Sequence, residues 1–268
     1  MPRTPHENPL SATSSARRQQ SADPDGIACP LCRSQSIRLF ATTWEPSPRD
    51  QVTKRSDRQK SADNTSTTQQ KQRRDYLRCT VCELTFLHPK SRLCAEEEAA
   101  HYRTHNNQVD DPRYRAFLAR LAGPLIARLR TQSDKPSTGL DFGCGPGPAL
   151  ADMLSAAGHH MSLFDPFFYP DPWTLERTYD FITCTEVAEH LHNPGPTLER
   201  LLKCLKPQGL LAAMTTLQQS DHGFARWPYR RDPTHVVFYR MRTFQHFARL
   251  HELDFSNPAP NVIFLARR

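Results

Sequence analysis

In the second half of the chain, short apolar runs alternate with segments whose apolar residues recur every three or four positions. The runs "GLDFG" (139–143), "HMSLFD" (160–165), "YDFITCT" (179–185), "GLLAAMT" (209–215) and "NVIFLAR" (261–267) have the length and residue types of strands. The intervals near 148–157, 195–205 and 242–251 have helical spacing. Strands separated by helices predict an α/β fold built on a doubly wound, largely parallel sheet. Upstream, Tyr114, Phe117, Leu118, Leu121, Leu125, Ile126 and Leu129 give residues 112–129 one apolar face, which Pro124 is expected to break into two pieces. "EEEAAHYRTH" (96–105) predicts a short helix.

The first third has a different pattern. Residues 1–26 are polar and read as a disordered tail. Residues 27–40 and 76–89 are short ordered pieces. Between them, a polar stretch almost free of aliphatic residues (about 42–75) is expected to stay disordered, because it has little apolar surface to bury. The predicted organisation is a tail (1–26), a small module with that insertion (27–92), a helical linker or cap (93–134) and an α/β domain (135–268).

Composition narrows the function classes. A length of 268 residues and 37% hydrophobic content allow one sizeable domain and a small accessory module, while 23 prolines fit the unpacked stretches. No apolar run reaches the roughly 18–20 residues of a membrane span. The first residues lack an apolar core of a secretory signal, so a cytoplasmic location is expected. The net charge of +7 lies wholly in the first third: residues 1–92 hold 16 Lys/Arg against 9 Asp/Glu, and residues 93–268 hold 19 of each. Such a basic arm suits RNA phosphates, or it is simply a solvated segment.

Eight cysteines in a chain read as intracellular argue against a disulfide framework. Four of them form two pairs, Cys29-Pro-Leu-Cys32 and Cys79-Thr-Val-Cys82, and four thiolates close a tetrahedral Zn²⁺ site. Phe86 and Leu87 follow the second pair, as in a zinc ribbon. The 46 residues between the pairs exceed ordinary ribbon spacing, but loop-closure cost grows only logarithmically. Redox catalysis is the weaker reading, since neither pair opens a helix. Cys94, Cys144, Cys184 and Cys204 lack partner spacing and read as reduced structural residues.

The densest chemistry is "DFGCGPG" (141–147), a strand end followed by Gly143, Gly145 and Gly147 and then a helix. Backbone N–H groups at such a turn face a ligand. No lysine follows to make a phosphate loop, and the spacing is not the dinucleotide G-x-G-x-x-G. Asp141 suits a ligand with a positive amine. Asp165, which ends "MSLFD", places a carboxylate where both hydroxyls of a ribose can bond to it.

With "YDFITCTEVAEHL" following, residues 135–268 resemble a class I S-adenosylmethionine-dependent methyltransferase. The resemblance implies a Rossmann-like sheet in which Asp141, Phe142, Gly143, Cys144, Gly145 and Gly147 hold the methionine end. Asp165, Pro166 and Phe167 are then expected at the nucleoside, and Thr185 and Glu186 at the methyl-transfer site. One interval departs from the family. Only thirteen residues, 166–178, with three prolines, separate Asp165 from the next strand, so the third strand is expected to be missing or irregular. Phe167 or Phe168 packs on adenine, or both belong to the core.

Two segments offer a proton acceptor for a hydroxyl or phenol substrate. In "TEVAEHLHNP" (185–194), Glu186 and His190 stand four apart and are expected to share a helical face, with Glu189 and His192 pointing elsewhere. His190 is then a base or part of the pocket wall. The segment 227–244, "WPYRRDPTHVVFYRMRTF", resembles the substrate-side lid of small-molecule methyltransferases. There His235 is a base, a ligand or a hydrogen-bonded lid residue, and Arg230 is a candidate holder of an anionic acceptor. The favoured reading is methyl transfer from S-adenosylmethionine to a small or medium-sized metabolite, with a structural zinc ribbon. A zinc module before this fold also resembles ribosomal-RNA base methyltransferases, although those close the metal site with Cys-x-x-x-His. A non-enzymatic protein that binds a partner through its ribbon is the third reading.

Overall fold

The structure, a computed structural model, describes residues 26–46, 71–103 and 108–268. The expected tail and most of the expected insertion lie outside the described residues. The insertion is shorter than its polarity suggested: residues 42–46 and 71–75 are strand. β1 (Ile37–Pro46) runs antiparallel to β2 (Lys71–Cys79), and β2 to β3 (Thr85–Leu87). Cross-strand polar pairing holds the extension, since Asp75 accepts from Thr42 Oγ1 of β1 at 2.6 Å; Arg73 Nε, on the same strand as Asp75, donates to it at 3.0 Å.

Each cysteine pair forms the same turn. The N–H of Arg33 returns to the Cys29 carbonyl at 2.9 Å, and that of Glu83 to the Cys79 carbonyl at 3.1 Å. Both residues adopt a left-handed backbone, φ 61°.

The larger unit follows the predicted alternation. Its helices are α1 (Ala95–Tyr102), α2 (Pro112–Gln132), α3 (Ala149–Ala156), α4 (Pro194–Lys203) and α5 (Met241–Leu250). Four strands are parallel: β4 (Thr138–Phe142), β5 (His160–Phe164), β6 (Tyr179–Thr185) and β7 (Leu205–Met214). Then β8 (Val237–Phe238) leaves this sheet, and β9 (Asp254–Ala259) and β10 (Val262–Ala266) rejoin it antiparallel. The order is β5-β4-β6-β7-β10-β9. No third parallel strand follows β5, which stands at the edge. Residues 166–178 hold a single bridge, Asp165 to Tyr169, and a 3₁₀ turn, Pro172–Glu176.

Alternate side chains of the central strands feed two cores. Leu210, Ala212 and Met214 of β7 pack with Leu118, Leu121, Leu125 and Leu129 of α2 and with Leu150 and Leu154 of α3. Leu211 and Ala213 face the other way, toward Leu198 and Leu201 of α4, Phe244 and Phe247 of α5, and the ribbon's Leu31, Leu84 and Phe86. The ribbon thus shares a core with the sheet. β8 pairs antiparallel with β3 and completes the ribbon's own sheet. On the far side, Gly195 N donates to the Pro30 carbonyl at 3.0 Å, and a Cβ at Gly195 would stand 2.4 Å from the Leu31 carbonyl oxygen.

Pro124 does not divide the helix: α2 is continuous across it. An interior proline costs about 3 kcal/mol, whereas four buried leucines on this face each contribute about 2 kcal/mol. The residue before it, Gly123, has no Cβ to clash with the proline ring.

Candidate active site and metal centre

The turn after β4 needs its glycines. Gly143 (φ 75°) and Gly145 (φ 64°) are left-handed, and a Cβ on Gly143 would stand 2.4 Å from Val187 Cγ2. The turn is tied to the end of β5: Gly143 N donates to the Phe164 carbonyl at 2.7 Å, and Gly145 N to Asp165 Oδ2 at 3.0 Å. Asp165 Oδ1 accepts from the N–H groups of Phe167 and Phe168 at 2.9 and 3.1 Å. Three backbone donors therefore fix this carboxylate, and its remaining lone pairs are still available to a ligand.

A cavity of about 570 Å³ opens beside the loop, a size suited to a nucleoside and a small second ligand. Its wall brings together Phe142, Gly143, Cys144 and Gly145 with Asp165, Pro166, Phe167 and Phe168, and with Thr185, Glu186, His190 and His235. Two of the residues expected to hold the cofactor lie off this wall. Gly147 belongs to the turn before α3. Asp141 is buried behind the loop and accepts from Thr183 Oγ1 at 2.7 Å. Burial, with a smaller contribution from the Asp165 charge, pushes the Asp141 carboxyl up to about 6.

The same wall includes Glu98 and Tyr102 from α1, which the sequence did not single out, and Tyr114 from α2, which was expected on an apolar helix face and not at the site. The signal was present, because Glu98 and Tyr102 stand four apart on one helical face. The Tyr102 ring packs 5.5 Å from Phe167 and 5.4 Å from His190.

At the far end the arrangement differs from expectation. Residues 185–190 do not form an α-helix. Glu186 is left-handed (φ 52°), and a single 3₁₀ turn, Ala188–His190, follows. In consequence Glu189, expected to point away, joins His190 and His235: one donor atom from each lies within 4.8 Å of the others. His192 also lines the cavity, where its Nε2 lies 2.6 Å from Glu98 Oε1. Glu189 is fully buried. Its Oε1 accepts from the Tyr229 hydroxyl at 2.6 Å, and its Oε2 has no partner among the described residues. Burial, and next the neighbouring Glu189 carboxylate, push Glu186 up to about 8. His190 Nδ1 lies 3.2 Å from the Thr234 carbonyl, and His235 Nδ1 lies 2.6 Å from the Tyr229 carbonyl. Burial, then proximity to His190, lowers the His235 pKa. Burial would raise the Asp232 carboxyl, but His101 at 3.3 Å, His235 and Thr234 hold it far below the usual range.

Arg230 does not face the cavity. It is buried against the ribbon, donating to Glu45 Oε1 at 2.7 Å, to the Tyr76 hydroxyl at 3.1 Å and to Thr43 Oγ1 at 3.3 Å. It ties the lid to the ribbon and offers nothing to an anionic acceptor.

In the ribbon, Cys29, Cys32, Cys79 and Cys82 converge, with Sγ atoms all within 4.8 Å of one another. Cys29 lies 3.5 Å from Cys82, and Cys32 lies 3.6 Å from Cys79. These distances are too long for disulfides. Four zinc–sulfur bonds of about 2.3 Å set sulfur–sulfur edges of about 3.8 Å, so the cluster is compatible with a zinc ribbon.

A family model described as a methyltransferase domain matches residues 114–257, more than half of the chain. The chain belongs to the methyltransferase family. Its sheet is the Rossmann-like arrangement that the sequence predicted. No curated protein is similar to this methyltransferase in sequence. Solved structures similar to it include magnesium protoporphyrin IX methyltransferase from Synechocystis, at 11% identity and TM-score 0.44, over 64% of this chain and 93% of that one. Another is 1,6-didemethyltoxoflavin-N1-methyltransferase from Burkholderia thailandensis, at 15% identity and TM-score 0.40, over 77% and 99%. A third is a possible histamine N-methyltransferase from Thermotoga maritima, at 11% identity and TM-score 0.38, over 62% and 97%. Likenesses at this level do not identify the acceptor.

Proposed function

We propose that this methyltransferase moves the methyl group of S-adenosylmethionine to a small or medium-sized metabolite, with Zn²⁺ held by the four cysteines as a structural brace. The observation that carries the reading is that one cavity joins the glycine turn and Asp165 to the polar corner at His190 and His235. Bound S-adenosylmethionine supplies an already activated methyl group, so the protein mainly has to align donor and acceptor and exclude water. The glycine turn, which has no side chains at Gly143 and Gly145 to block close approach, and the charge of Asp141 buried behind it suit the methionine end. Asp165 accepts the ribose hydroxyls, and the faces of Phe167 and Phe168 suit adenine. Glu186 and the two histidines border the acceptor and orient it.

Among the described residues no Lys or Arg lines the cavity, while Glu98, Asp165 and Glu186 do. Such walls suit a cationic sulfonium and offer nothing to a phosphate backbone. The test is calorimetric titration with S-adenosylhomocysteine, with Asp165→Ala alongside. Micromolar binding that the variant loses supports the reading. A folded protein that binds no S-adenosylhomocysteine overturns it. Labelled S-adenosylmethionine offered with a metabolite extract and, separately, with ribosomal RNA then separates the two acceptor classes.

A further inference from the structure

The corner formed by Glu189, His190 and His235 has the composition of a cation site distinct from the cysteine cluster. One oxygen of Glu189 and one ring nitrogen of each histidine already lie within 4.8 Å of one another. Bonds of about 2.1 Å to one ion would draw such donors to roughly 3–3.5 Å apart, within reach of small side-chain rotations. The second sphere is in place. Carbonyl oxygens cannot donate, so Nδ1 of His190 against Thr234 and Nδ1 of His235 against Tyr229 each carry the proton. This is the tautomer in which Nε2 holds the lone pair, and a carbonyl behind the ring is what metal-bound imidazoles commonly have. The Tyr229 hydroxyl similarly fixes one oxygen of Glu189.

The second oxygen of Glu189 is the independent sign. It is completely buried, has no hydrogen-bond partner among the described residues, and sits close to a second, half-buried carboxyl, Glu186. Glu189 has a hydroxyl but no cationic side chain among its hydrogen-bond partners, and a carboxyl buried in this way favours a shared proton or a bound cation. The wall around the two glutamates adds Glu98 and, among the described residues, no Lys or Arg.

The geometry points to a divalent cation held by Glu189, His190 and His235, with Glu186 beside it, at the acceptor end of the cavity. Two imidazoles and a carboxylate suit Mn²⁺, Fe²⁺, Co²⁺ or Zn²⁺ rather than Ca²⁺. Three protein donors leave positions open, so the acceptor this site fits carries an oxygen that binds the ion. On the cation the acceptor hydroxyl releases its proton to solvent. Its oxygen bonds to the methyl carbon as the carbon–sulfur bond breaks, and that electron pair returns to sulfur. The role for the acceptor rests on the proposed methyl transfer; the ion itself does not.

Mn²⁺ is the probe, added to full-length protein whose cysteine site is saturated with zinc and followed by electron paramagnetic resonance, with S-adenosylhomocysteine binding measured separately without manganese. One Mn²⁺ per chain is expected, with imidazole nitrogen modulation in the spin echo. Glu189→Gln and His235→Gln should each weaken binding at least tenfold, and His235→Gln should reduce the nitrogen signal. Each variant's folding is checked by its melting transition. Absence of Mn²⁺ binding, or binding that both folded variants retain unchanged, overturns the site. A protein that binds S-adenosylhomocysteine but no manganese refutes the cation alone; the reverse refutes the cofactor reading alone.

Discussion

Replacing Asp141 with asparagine should stabilise the empty protein while weakening its hold on cofactor. Asp141 is buried behind the glycine turn with one hydroxyl donor, Thr183, and its carboxyl titrates near 6 instead of the ordinary 3.8. Burial, which disfavours the charge, is the first cause. Each pKa unit corresponds to about 1.4 kcal/mol, so the ionised side chain destabilises the fold by about 3 kcal/mol at neutral pH relative to a neutral one. The sign follows from proton counting. From about pH 4 to about pH 6 the folded protein keeps a proton that the unfolded chain has lost, so this group lowers stability as pH rises and adds no slope above that range. Asparagine is nearly isosteric and still accepts from Thr183, but never ionises. In urea unfolding at constant zinc, Asp141→Asn should be about 2–3 kcal/mol more stable than the parent at pH 7.5 and nearly equal at pH 4. S-adenosylhomocysteine should bind the variant at least tenfold more weakly, since its amine loses a counter-charge. A variant no more stable than the parent at pH 7.5, or with the parent's pH slope, would refute this account of Asp141.

Two further outcomes follow from the ribbon. Stripping Zn²⁺ with a chelator should lower the melting temperature of the whole protein by about 10 °C or more in one cooperative transition, because ribbon and sheet share a core; an unchanged melting curve would exclude a structural metal. Arg230→Met should cost about 2–3 kcal/mol by leaving Glu45 and the Tyr76 hydroxyl unpaired. In acceptor kinetics its KM should stay at the parent value, whereas a rise would return Arg230 to the acceptor site.

Where local pattern and tertiary role coincide, the sequence was readable. All five expected strands appear, and "YDFITCT" matches β6 residue for residue. The glycine turn was legible because Gly143 and Gly145 meet a backbone demand that any sequence must meet there. Other elements depend on partners distant in sequence. β9, "DFSNPA", is a polar edge strand containing a proline, with no apolar alternation to announce it. β8 is two residues long and exists because β3 lies beside it. The polar ends of β1 and β2 hold each other through Thr42 and Asp75, with Arg73 of the same strand bonded to that carboxylate, where composition alone indicated a loop. Within the site, the four-residue spacing of Glu186 and His190 assumed an α-helix. The left-handed turn at Glu186 put Glu189 against the histidines instead. Arg230 carried a charge that suggested a ligand, and its partners, Thr43, Glu45 and Tyr76, lie more than 150 residues earlier.

The pairing of β3 with β8 also bears on how the chain is made. All four cysteines leave the ribosome before the sheet that supports them, so the metal can bind early, but the edge of β3 waits until residues 237 and 238 have been synthesised. During that interval an unpaired strand and the apolar side chains of Leu84 and Phe86 face solvent, the condition under which nascent chains associate with one another. The two units therefore do not separate cleanly at the residues between them. A fragment ending near residue 92 keeps an open strand edge, and one beginning there leaves Val236, Val237 and Phe238 without the surface that buries them.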